Sequence, residues 1–116
     1  MKKTPTYSIM IMSHNNHNML EECITNIKLY TPIPYELIIV DDASEPPYKR
    51  QDATVIHLPR RSNCCNLRNV GMEMATTDYV FWLDNDCMVG PDWYKPMIEV
   101  VENDPMIGIT GQPKDS

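Results

Sequence analysis

Tyr7-Ser8-Ile9-Met10-Ile11-Met12 forms a short, nearly unbroken apolar run. A run of this length without alternation reads as a strand buried on both faces, the pattern of a parallel sheet. The polar cluster Ser13-His14-Asn15-Asn16 ends it. Leu20, Cys23, Ile24, Ile27 and Tyr30 then recur at helical spacing. Asn18 is the expected N-cap of that helix, with Glu21 completing a capping-box-like pattern. Thr31-Pro32-Ile33-Pro34 stops the helix, because proline lacks an N–H and clashes with the preceding turn. Glu36-Leu37-Ile38-Ile39-Val40 is a second strand, running into Asp41-Asp42-Ala43-Ser44. The segment from Glu45 to Arg50 carries two prolines and reads as loop, and Thr54–Leu58 as a third strand. A second helix is expected over Asn66–Ala75, with Leu67, Val70 and Met74 on one face. Tyr79–Leu83 is a fourth strand, ending at Asp84-Asn85-Asp86. Gly90-Pro91 marks a turn into a last helix, whose apolar side is Tyr94, Met97, Ile98 and Val101 and whose regular part starts at Pro96. Asn103-Asp104-Pro105 ends it, and Met106–Thr110 is a possible fifth strand.

Strands alternating with helices imply one α/β domain over residues 1–116 with a mainly parallel sheet. In such sheets ligands bind beyond the carboxyl ends of the strands. Three polar clusters fall at those ends: Ser13-His14-Asn15, Asp41-Asp42 and Asp84-Asn85-Asp86. The fold therefore gathers residues that are far apart in sequence.

Composition narrows the chemistry. The chain has 116 residues, 42% of them hydrophobic and 22% charged, which is globular composition. A domain of this length buries roughly two-thirds of the surface its unfolded chain exposes. The net charge is −6, and no basic run exceeds Arg60-Arg61, which argues against nucleic acid as a partner. An acidic chain that binds an anionic nucleotide needs a cation or a few placed arginines. Cys23, Cys64, Cys65 and Cys87 form no C-x-x-C pair and read as reduced thiols. The apolar run behind Met1-Lys2-Lys3 is too short for a signal peptide or a membrane span, so a cytoplasmic location is expected.

Two carboxylates about 4 Å apart repel by ~4 kcal/mol at an effective dielectric near 20, a cost that a cation removes. Oxygen donors without His or Cys suit a hard ion, so Asp84 and Asp86 point to Mg²⁺ or Mn²⁺. The alternative is a solvated loop or a helix cap. Asp41-Asp42 reads either as a turn or as a carboxylate accepting hydrogen bonds from a base or ribose. His14 reads as a capping histidine or as a flat ring that stacks on a nucleobase. Arg68 is either a solvated side chain or a nucleotide contact. Trp93 and the methionines read mainly as packing, although Trp93 is placed to edge a pocket. Neither G-x-G-x-x-G nor G-x-x-x-x-G-K-[ST] is present, and there are only four glycines. Any nucleotide is therefore held by side chains and a metal.

The ordered clusters resemble the N-terminal half of glycosyltransferase family 2. Tyr7 to Asn15 resembles its opening strand, usually ending Pro-Thr-Tyr-Asn. Tyr35 to Ser44 resembles its second strand and Asp-Asp-Gly-Ser turn, Leu67-Arg68-Asn69-Val70-Gly71 its Ala-Arg-Asn-x-Gly segment, and Asp78 to Asp86 its Gly-x-Tyr-x-x-Phe-Leu-Asp-x-Asp stretch. The resemblance implies a three-layer α/β/α, Rossmann-like GT-A fold and metal-dependent transfer from a UDP-sugar. It places Met12 and His14 beside the uracil, Asp42 on the base and Arg68 near the nucleotide. Asp84 would contact ribose or metal, and Asp86 would bind the metal directly. Met12, Ser13 and His14 depart from the family's Pro-Thr-Tyr. Members are usually longer, and their second half supplies the acceptor site and the general base, to which no residue here is assigned. The acceptor (glycan, lipid or protein) is open, and so is a homo-oligomer. The alternatives are a UDP-binding module that needs a partner for transfer and a nucleotidyltransferase, which lacks support because Ser13-His14-Asn15-Asn16 has no glycine-rich basic loop.

Overall fold

A computed structural model describes residues 6–103. The elements follow as β1 (Tyr7–Ser13), α1 (His17–Tyr30), β2 (Glu36–Asp42), β3 (Thr54–Leu58), α2 (Cys64–Met74), β4 (Tyr79–Asp84) and α3 (Lys95–Asn103). The four strands form one sheet in the order β3-β2-β1-β4, and every pairing is parallel. The sheet is therefore parallel throughout among the described residues. The expected strand at Met106–Thr110 lies outside them.

Strand alternation splits the core into two layers. Ile9, Ile11, Leu37, Ile39 and Phe81 face α1, whose Leu20, Cys23, Ile24 and Ile27 are buried against them, with Met97 and Ile98 of α3 on the same side. Met10, Ile38, Val40, Val80 and Trp82 face the other way, toward Leu67 and Val70 of α2. This is the α/β/α sandwich that the unbroken apolar strands require. At Gly71, α2 lies so close to β1 that an added Cβ would sit 1.7 Å from the Met10 sulfur.

Two local expectations are corrected, and the packing role of Trp93 is met. α1 is capped by Asn16 and not by Asn18; Asn16 is left-handed (φ 47°) and makes no side-chain capping bond. Glu21 is drawn instead to the Tyr48 hydroxyl and the Arg50 guanidinium, stronger partners than a helix-terminal amide. α2 begins at Cys64, two residues before the expected start, because the Asn63 side chain accepts from the Asn66 N–H. Trp93 is packing: it is 6% exposed, meets Phe81 edge-on at 5.0 Å and donates its indole N–H to Thr31.

Candidate nucleotide-sugar site

The connections from β1 to β2 and β3 carry the chain one way across the sheet, and β4 then returns to the far side of β1. The reversal leaves a switch point between β1 and β4, where open α/β sheets hold ligands at their carboxyl ends. Met12 and Asp84 are register partners at that point. Met12, Asp42 and Asp84 share the parity of Met10, Val40 and Trp82, so they stand on the α2 side of the sheet. Asp41 has the opposite parity.

The turn after β4 is clamped. Asn85 donates to the Ser13 hydroxyl at 3.2 Å, and the Asp84 carbonyl accepts from the Cys87 N–H at 3.0 Å. The Cys23 thiol, 3.8 Å from that carbonyl, is a donor, since burial, reinforced by Cys87 and Asp86, pushes it up to about 11. Asn26 of α1 then holds Val89 from both sides, donating to its carbonyl at 3.0 Å and accepting its N–H at 2.6 Å. Against this fixed backbone, the Asp84 and Asp86 side chains are exposed. Among the described residues neither carboxylate has a hydrogen-bond or ion-pair partner.

The loops after β1 and β2 are laced together. The Asn15 N–H donates to Ser44 at 2.6 Å, and the Asn15 side-chain oxygen accepts the Glu45 N–H at 2.8 Å. His14 donates from Nδ1 to the Asp42 carbonyl, and its Nε2 faces the Asn15 amide at 3.1 Å. Both ring edges are thus engaged, and stacking is the interaction left to the ring. Asn15 (φ 51°) and Ala43 (φ 56°) are left-handed; Ala43 stands where the family turn carries glycine.

The two neighbouring aspartates part company. Asp41, 0% exposed, accepts from the Tyr48 N–H and from His57 Nδ1, each at 2.9 Å. Burial alone would raise its carboxyl; hydrogen bonds from Ser44, Tyr48 and His57 outweigh it and hold Asp41 below the usual carboxylate range. Asp42, 2% exposed, accepts from Arg61 Nε at 2.9 Å and from the Ser62 N–H at 2.8 Å. One lone pair remains on each Asp42 oxygen. Arg68 makes no hydrogen bond to this cluster among the described residues; its guanidinium lies 3.8 Å over the Trp82 ring.

The structure thus brings Met12, His14, Asp42 and Asp84 to one sheet end, with Asp86 in the clamped turn. Sequence reasoning missed Arg61, Asn26 and the lacing role of Asn15. Arg61 adjoins the polar loop before α2, but nothing in its spacing marks Asp42 as its partner. No group of three His, Cys, Asp or Glu side chains suited to a metal occurs among the described residues. No described helix is long and apolar enough to cross a membrane.

Known proteins share this fold. The fold matches the crystal structure of Staphylococcus aureus TarS 1–349 with a TM-score of 0.69 over 94% of this chain and 38% of that one, at 17% identity. The TarS complex with UDP matches equally, at 18% identity. Bacillus subtilis YwdF, an uncharacterized glycosyltransferase, is 32% identical over 82% of this chain and 38% of its own length. The poly-beta-1,6-N-acetyl-D-glucosamine synthase of Staphylococcus aureus is 29% identical over 92% of this chain and 28% of its own. The chain spans less than two-fifths of these relatives. The family model for glycosyl transferase family 2 matches residues 8–115, which include every cluster at the strand ends. By this match, which spans more than half of its length, the chain belongs to glycosyl transferase family 2.

Proposed function

We propose that this chain is the donor half of a metal-dependent glycosyltransferase that takes a UDP-sugar. The observation that carries the reading is the pair of exposed carboxylates, Asp84 and Asp86, unpartnered among the described residues and presented by a clamped turn at the switch point. Their donor set fits a hard divalent ion, Mn²⁺ or Mg²⁺, that takes one or two protein carboxylates and fills its remaining positions with water and phosphate oxygens. Asp86 would hold the ion directly, with Asp84 shared between ion and ribose. When bound, the cation offsets charge building on the leaving diphosphate. His14 offers a ring face to the base, Asp42 its remaining lone pairs, and Met12 the strand-end backbone beside them. Transfer also needs a general base near the acceptor hydroxyl. In this reading the base and the acceptor site belong to sequence matching the remainder of the longer relatives.

Titration calorimetry of UDP tests the proposal. Saturable binding is expected with Mn²⁺ and not with chelator, and it should vanish in Asp86→Ala. Equal affinity with and without metal overturns the role of Asp86. No UDP binding under any condition overturns the donor-site reading.

A further inference from the structure

Lys28, Arg50, Arg61 and Lys95 each lie in an ion pair with a carboxylate. Arg68 does not. Although acidic side chains outnumber Lys and Arg by 16 to 10, its partner among the described residues is an aromatic face, the Trp82 ring at 3.8 Å. A guanidinium that stacks through its π surface keeps its in-plane N–H fork free for a bidentate anion. Trp82 lies on the α2 side of β4 beside Met10, partly buried, with its indole Nε1 buried and unpartnered among the described residues. Two residues on, along the same strand face, is Asp84, about 7 Å away at the usual strand rise.

We infer that Trp82 is a positioning residue of the donor site, holding the Arg68 guanidinium flat beside the Asp84 end of β4 so that its N–H fork meets a diphosphate oxygen. The inference rests on the UDP-sugar reading above. Trp82 itself touches no ligand. It reduces the number of orientations that a long, flexible arginine must give up on binding.

The test is calorimetry with UDP and with uridine, both in Mn²⁺, on the wild-type chain and on Trp82→Phe, Trp82→Leu, Arg68→Lys, Arg68→Ala and the Trp82→Leu/Arg68→Ala double variant. Circular dichroism checks the fold of each. Trp82→Leu should weaken UDP about two- to five-fold, the range of an exposed cation–π contact. Trp82→Phe, which keeps a ring, should stay near wild type, and uridine affinity should not change. In the Arg68→Ala background, Trp82→Leu should add nothing. Arg68→Lys leaves the core intact and should lose at least as much as Trp82→Leu, because an ammonium has no planar fork to be positioned. Additive losses, an equal loss for uridine, or wild-type UDP affinity in Arg68→Lys overturns the inference while the donor-site reading stands. Absence of UDP binding by the wild-type chain overturns both.

Discussion

Asp41 and Asp42 are adjacent on β2, and the period of two sends their carboxylates to opposite faces. Asp41 becomes a buried acceptor that ties the Tyr48 loop and His57 of β3 to the sheet. Asp42 faces the α2 side and receives Arg61 and Ser62. The pair was legible in the sequence as a candidate ligand site, but the division of labour was not, because it depends on which loops return over each face. The lowered pKa of Asp41 has a definite sign: its ionised form is stabilising above the ordinary carboxylate range, and that stability is lost as pH falls through the folded value. Wild-type stability should therefore drop between about pH 5 and pH 2 more steeply than that of Asp41→Asn. At neutral pH that variant should be less stable by about 1–3 kcal/mol, since a buried hydrogen-bond set is broken. Urea unfolding across the pH range measures both effects. Parallel pH profiles would show that Asp41 is not the group responsible.

At the scale of elements, periodicity located every strand and helix among the described residues to within a few positions. The misses were at ends, where side-chain chemistry decides. Asn16 starts α1 in a left-handed conformation that no spacing rule singles out, and Glu21 is recruited by Arg50, which is distant in sequence. The contact of α2 with β1 is likewise a property of two elements. Gly71 is buried and its missing side chain leaves room for Met10, which is 0% exposed. Gly71→Ala should force the helix outward or Met10 out of its rotamer, costing about 1–3 kcal/mol. For a domain of this size that corresponds to a fall in Tm of roughly 5–15 °C, readable by circular dichroism. An unchanged Tm would mean that α2 is not seated on Met10. Arg61 and Asp42 should be unaffected by a shift of that kind if their loop is held independently, which makes UDP affinity in Gly71→Ala a useful companion reading.

The whole molecule joins a stable scaffold to an electrostatically unfinished site. Asp84 and Asp86 have no protein partner among the described residues, so they bring no hydrogen bond or ion pair to the free fold, and in the proposed reading their role is to hold the donor's cation. Replacing both with Asn should leave the Tm of the free chain equal to or above wild type. UDP with Mn²⁺ at about a hundred times its dissociation constant should stabilise wild type by about 2.7 kcal/mol and leave the double variant unmoved. A double variant that melts well below wild type without ligand would assign these carboxylates a structural role instead. Much of this protein is determined by its sequence alone. Unbroken apolar runs alternating with amphipathic segments are local patterns, and they suffice for an α/β class, a parallel sheet and polar clusters at strand ends. The ordered clusters suffice for the family as well. Only the tertiary structure decided that β4 lies beside β1, creating the switch point at Met12 and Asp84. It alone decided that Asp41 is structural, that Arg61 belongs to Asp42 and that Arg68 rests on Trp82. The physical reason is that these pairings depend on sheet order and helix crossing, which bring together residues whose separation along the chain carries no periodic signal.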